Sequence, residues 1–172
     1  PATIYEAGAP HPQPGVLDLD LPMLGICYGM GVLVTAEGGK VASSGHREYG
    51  PAPLTVTASE GLFAGFSGDN PGVWMSHGDR LVSLQPGWNA IETSKESPLA
   101  AAQRDDGRRQ VVQFHPEVAH TDGGSQLLST FVRGICGCEA SWTMETFIDQ
   151  TVKAIRERVG EKQFLCCLSG CV

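Results

Sequence analysis

The feature that most constrains this 172-residue sequence is a cysteine set on a very short turn between a strand and a helix. Residues 22–26 (PMLGI) are short and apolar, as a buried strand requires, and residues 30–37 can form a helix that Gly38 and Gly39 end in left-handed conformations. Between them lies Gly25-Ile-Cys27-Tyr-Gly29. Glycine on either side of Cys27 leaves room for strained backbone and for a substrate to approach a side chain held clear of the sheet. Exposed N–H groups at the helix start are expected to lower the thiol pKa by favouring the thiolate. Cys27 is therefore a candidate nucleophile, although a lone cysteine among apolar residues can equally be core packing.

A nucleophilic thiol needs a base to take its proton and return it to the leaving group, and the base needs a carboxylate to fix its tautomer. Gln113-Phe-His115-Pro-Glu117, at the end of a predicted strand, supplies both. His115 fits the base, Glu117 fits the orienting carboxylate, and Pro116 stiffens the chain so that both side chains can face one site. Read alone, the same motif is equally an exposed histidine beside an unrelated glutamate.

The rest of the chain alternates in the manner of an α/β protein. Residues 54–56, 73–76, 88–93, 99–103 and 110–114 are short β-branched or apolar runs separated by Gly, Pro, Asp and Asn, and read as strands. Leu127, Leu128, Phe131, Val132 and Ile135 recur at helical spacing and predict one buried helix over 125–135. A small, polar stretch follows, and Thr143 can cap a second helix with Glu145 in its first turn. Phe147, Ile148, Val152, Ile155 and Val159 form its apolar face, and Arg156, Arg158 and Gly160 suit its end. Residues 163–168 (QFLCCL) read as a buried strand. A boundary near Gly137 divides the chain into domains 1–137 and 138–172.

Composition excludes several functions. A formal charge of −7 without a basic stripe argues against nucleic-acid binding. No apolar run approaches the roughly 20 residues that cross a bilayer, and the opening residues lack the pattern of a signal peptide, so a cytoplasmic protein is expected. The six cysteines are then expected as reduced thiols. Cys136 and Cys138 lack the second pair of a zinc site, and no metal is expected.

GICYG with a downstream QFHPE resembles the signature of class I glutamine amidotransferases. Gly45-His-Arg-Glu-Tyr-Gly50, Trp74-Met-Ser-His-Gly-Asp79, Ile135-Cys-Gly-Cys138 and Trp142-Thr-Met-Glu145 narrow the resemblance to the GMP synthases among them. It implies a doubly wound, mostly parallel sheet of the flavodoxin-like kind whose first strand would precede Pro1, followed by the start of a second α/β domain that binds ATP. It implies glutamine as substrate, with Cys27, His115 and Glu117 as a catalytic triad forming a thioester. It also implies a glutamine pocket of Tyr28, Gly31, Ser76, Gly78 and Asp79, in which the Tyr28 N–H serves the oxyanion. His77 is read as pocket wall or domain contact, and His46 and Arg47 as a turn near the synthetase domain.

In the whole enzyme, ammonia would pass to XMP activated by ATP and Mg2+, giving GMP, and the full-length protein would be a homodimer. Three departures from the family pattern bear on activity. Gly31 stands where the family usually has a glutamine that holds the substrate's amino-acid end. A glycine-rich oxyanion loop would precede Pro1. Ser169 and Gly170 resemble the start of the ATP-binding loop, but Cys171 replaces its next glycine, so this chain alone is not expected to make GMP. The alternatives are a stand-alone glutamine or γ-glutamyl hydrolase and a catalytically impaired binding module.

Overall fold

The computed structural model describes residues 3–56, 60–66, 70–94, 99–163, 165 and 167, with backbone alone for 44–47, 56 and 92–94. The chain divides into two compact units, Pro1–Cys138 and Glu139–Val172. The first carries a six-stranded sheet in the order β1-β6-β5-β4-β2-β3. Its strands are β1 (Met23–Ile26), β2 (Lys40–Val56), β3 (Gly72–Ser83), β4 (Trp88–Ser94), β5 (Ala101–Arg104) and β6 (Arg109–Val112).

The expected α/β sheet is present, with parallel pairing at β1 and β6 and antiparallel pairing elsewhere among the described residues. Connection length explains this. The short connection from β5 to β6 forces those neighbours to reverse, whereas β1 and β6 are separated by the whole intervening chain and can run the same way. Helix α1 (Tyr28–Ala36) leaves the end of β1 and buries Met30, Leu33 and Val34. Both faces of the sheet are covered, because successive strand residues point to opposite sides. Ala101 and Val112 join Leu54, Phe63, Met75, Phe114 and Leu127 in one cluster, while Ala102 and Val111 join Met30, Leu33, Val34 and Trp88 in the other.

Strand β2 departs from the expected turn at GHREYG, because the punctuating residues lie inside a strand instead of ending one. A register irregularity between Ser43 and Glu48 absorbs the first of them. The prolines are tolerated for a directional reason. The Leu54 N–H donates to the Pro71 carbonyl at 3.0 Å, so the nitrogens of Pro51 and Pro53 face away from β3. On that side β4 begins to pair only at Leu54, so no ladder bond is lost.

The helix expected over 125–135 is two pieces, α2 (Gly124–Ser129) and a π-helical segment, Thr130–Ile135. The Cys136 N–H reaches back to Phe131 O at 2.8 Å, a five-residue step that rotates the apolar stripe out of register. Phe131 and Ile135 still pack on the core, but Val132 is 46% exposed.

The second unit contains α3 (Met144–Val159), whose Thr143 and Thr146 form a reciprocal capping box. Its apolar face finds no cover within its own unit, where Phe147, Ile148, Val152 and Ile155 are all exposed. Of the strand expected over 163–168, Gln163, Leu165 and Cys167 are in no strand, and Leu165 is 90% exposed. No strand is available within the described part of this unit to pair with them, and an isolated strand buries nothing. The remaining positions of that stretch, together with Ser169, Gly170 and Cys171, lie outside the described residues. Among the described residues no helix is long and apolar enough to cross a membrane.

Candidate active site

Cys27 sits where β1 turns into α1 with φ 50° and ψ −105°, a left-handed conformation that costs a non-glycine residue about 1–3 kcal/mol. Neighbouring contacts hold it there. Its N–H donates to the Val112 carbonyl at 2.8 Å, one step beyond the Ile26–Val112 rung of the parallel ladder. Gly25 makes the corner possible, since a Cβ there would lie 2.7 Å from the Gly29 carbonyl oxygen and 2.9 Å from Leu33 Cδ1. Only a bare backbone lets strand and helix approach this closely.

The Cys27 Sγ–H is directed at the Ser76 carbonyl, 3.6 Å away on β3. Burial pushes this thiol above its ordinary 9.0, and although the Tyr28 N–H draws it down, the charges of Glu117 and Asp79 push it up again. The lowering expected from the helix start is thus outweighed by desolvation, which disfavours any charge in a closed site. The Cys27 thiol therefore rests protonated, and a nucleophilic role for it would need a base.

His115 lies three residues beyond the end of β6, at the same end of the parallel pair as Cys27. Its N–H donates to the Trp74 carbonyl at 3.0 Å, and its Nδ1 is 2.6 Å from Glu117 Oε1. A carboxylate can only accept, so the proton resides on Nδ1 and Nε2 is left as the basic nitrogen. The two-residue spacing across Pro116 therefore does bring imidazole and carboxylate together. Glu117 is also near enough to Cys27 for its charge to oppose the thiolate.

A cavity of about 210 Å³ opens beside Cys27. Tyr28, Gly31, Gly78 and Asp79, four of the five residues assigned to the pocket from sequence, line it, and Ser76 contributes the carbonyl that holds the thiol. The space has room for a small metabolite and presents carboxylates at Asp79 and Glu6, which suits a ligand carrying an ammonium group. At Gly31 the wall is filled from the side. A Cβ there would lie 3.1 Å from Ile4 Cγ2, so Ile4 occupies the space a larger residue would take. His77 is buried in the wall, with Nδ1 2.8 Å from the Asp79 carbonyl and Nε2 3.2 Å from Glu48 Oε2. That arrangement is a tether between β2 and β3 and agrees with a wall residue.

The sequence alone gives no site role to Ile4, Glu6 and Gln113, which line the cavity, to Glu48, which holds His77, or to Thr121, whose hydroxyl donates to the His115 carbonyl. The first two come from the residues preceding β1, where no periodicity marks them. Thr121 had a signal, a hydroxyl residue six positions after the candidate base and directly before Asp122-Gly-Gly124, but nothing in a sequence says which backbone it meets.

Residues 1–135 match the class-I glutamine amidotransferase family. The chain belongs to that family. Over 170 residues, 99% of its length, this amidotransferase is 49% identical to the GMP synthase [glutamine-hydrolyzing] of Heliobacterium modesticaldum and 47% identical to that of Thermomicrobium roseum. It spans about a third of the length of those relatives, 33% and 32%. Among solved structures it is similar to a Thermoplasma acidophilum protein assigned as one of the subunits of a GMP synthase, with a TM-score of 0.66 and 27% identity over 78% of this chain and 63% of that one. The fold is shared with a glutamine amidotransferase of Thermotoga maritima at a TM-score of 0.51, 22% identical over 78% of this chain and 50% of that one.

Proposed function

We propose that this amidotransferase is the glutamine-hydrolysing part of a GMP synthase, and that Cys27, His115 and Glu117 are its catalytic triad. The observation that carries the reading is the strained, buried Cys27 at the mouth of a small carboxylate-bearing cavity, with the His115–Glu117 pair at the same end of the β1–β6 ladder.

In this reading the ammonium of glutamine meets Asp79 and its carboxamide lies against Cys27. His115 Nε2 takes the thiol proton as sulfur attacks the carboxamide carbon. Negative charge develops on the carboxamide oxygen, towards which the Tyr28 N–H is placed to donate. His115 then returns the proton to the departing nitrogen, and ammonia leaves a thioester. Water activated by the same ring releases glutamate and restores the thiol. Glu117 holds the ring in one tautomer and favours the imidazolium that forms in between.

The remainder is what the resemblance to the GMP synthases implies. Ammonia would be delivered to XMP activated with ATP and Mg2+ in a synthetase domain, giving GMP in the cytoplasm, within a homodimer. The unit Glu139–Val172 would begin that domain, and Ser169 and Gly170, outside the described residues, would start its phosphate-binding loop. A free hydrolase has no use for a capped amphipathic helix after the catalytic unit, which favours the synthetase reading over stand-alone hydrolysis.

The test is release of glutamate and ammonia from glutamine, with Cys27→Ala as control, and mass mapping after exposure to a glutamine-like electrophile. Labelling confined to Cys27 and turnover lost in Cys27→Ala support the reading. Turnover that survives Cys27→Ala would remove Cys27 from the mechanism, and an unlabelled, inactive chain would favour the impaired module.

A further inference from the structure

The reactive pair is built from two chain segments that both rest on one strand. Two residues apart on β3, the Ser76 carbonyl receives the Cys27 thiol and the Trp74 carbonyl receives the His115 N–H. Alternate residues of a strand present their polar groups to the same side about 7 Å apart, so β3 sets the spacing between the two attachment points.

On the histidine side the attachment is not a plain ladder. The Trp74 N–H donates to Thr121 Oγ1 at 3.1 Å, and the Thr121 hydroxyl in turn donates to the His115 carbonyl at 2.6 Å. With the His115 N–H on the Trp74 carbonyl, these bonds close a ring in which a hydroxyl is inserted into one rung between two backbones. The inserted group displaces the His115 peptide from β3 by the width of one oxygen as the chain enters Pro116. Thr121 is buried, so water has little access to replace it. The next residue secures the loop: Asp122 Oδ2 accepts the Gly72 N–H at 2.9 Å, and the Asp122 N–H donates to the Gly72 carbonyl at 2.9 Å.

We infer that Thr121 is a positioning residue for glutamine hydrolysis: its hydroxyl bridges Trp74 and His115 and thereby sets where the imidazole stands relative to Cys27. The inference rests on His115 being the base proposed above. It requires the hydroxyl itself, not the bulk of the side chain, because a hydroxyl both donates and accepts and no apolar group of the same shape can. Losing it removes this partner from the Trp74 N–H and the His115 carbonyl and frees the peptide to shift.

Three variants separate these roles. Thr121→Ser keeps the hydroxyl and drops the methyl, Thr121→Ala drops both, and Thr121→Val keeps the shape alone. A base misplaced by about an ångström costs on the order of a hundredfold, so kcat for glutamine should fall about 10- to 100-fold in Thr121→Val and Thr121→Ala, with KM within about twofold and Thr121→Ser within about threefold of the parent. The low-field NMR resonance of the His115 Nδ1 proton, held by Glu117, should shift or broaden in the Val and Ala variants and persist in Thr121→Ser. If Thr121→Val does not fold, the Ser and Ala pair still differs by the hydroxyl alone. Equal kcat in Ser and Ala, with the resonance unchanged in both, overturns the inference. A parent chain that neither turns over glutamine nor is labelled at Cys27 would instead overturn the triad reading, and the resonance would still decide whether Thr121 holds His115 in place.

Discussion

Helix α1 has nine residues, no capping side chain and no charge in its terminal turns, whereas α3 has sixteen, a reciprocal cap, Glu145 in its first turn and Arg156 and Arg158 in its last. By local chemistry α3 is the better helix. Yet α3 buries none of its residues, while α1 buries four, Met30, Gly31, Leu33 and Val34. The difference shows two ways of specifying the same conformation. The start of α1 is left uncapped because the residue in the capping position is Cys27, in a backbone region that only tertiary contacts can hold. α3 carries its own instructions and depends little on its surroundings.

If that contrast is right, perturbations at the α1 end should reach the chemistry and those at α3 should stay local. The largest effect is expected from His115→Ala, which should lower kcat for glutamine about 10²- to 10⁴-fold, the usual worth of a positioned base, in a steady-state glutaminase assay. Next is the Cys27 thiol. Because burial raises it above 9.0, its alkylation by iodoacetamide should increase about tenfold per pH unit from 7 to 9 without a plateau. Glu117→Gln removes a charge that opposes the thiolate and should speed alkylation at fixed pH. The sign for stability follows: the folded state keeps this proton longer than the unfolded chain, so the contribution is complete below pH 9 and is lost above it.

Gly25→Ala tests the seat of α1, where the new Cβ would lie 2.7 Å from a carbonyl oxygen. A destabilisation of about 1–3 kcal/mol is expected, read as a fall in thermal midpoint together with reduced glutamine turnover. Thr143→Ala should cost α3 about 1 kcal/mol, seen as lost ellipticity at 222 nm, with glutamine turnover unchanged. Loss of turnover in Thr143→Ala would break the contrast, because it would couple the self-sufficient helix to the catalytic unit.

How much of this was legible in the sequence follows the same division. Cys27, His115 and Glu117 were legible as candidates for the proposed triad because their residue types are compressed into two short motifs. The ends of α3 were legible because caps and terminal charges are local. Strand β2 was not, since Gly45, Gly50, Pro51 and Pro53 look like a loop until a partner strand shows which way their nitrogens face. The π-helical step at Thr130–Ile135 was hidden because the apolar spacing in the sequence does not say whether the backbone bonds span four residues or five. Thr121 was hidden because its meaning depends on Trp74, 47 positions earlier. Whether the apolar face of α3 would be covered is a property of what it packs against, which no pattern within the helix encodes.

The sharing of β3 by thiol and imidazole has a mechanical consequence. Thermal displacement of that strand carries both members of the proposed pair in the same direction, so it cancels in their separation, much as common-mode noise cancels in a differential amplifier. What remains to vary is the short reach from each anchor to its own reactive atom. A soft sheet can therefore present a stiff reactive pair.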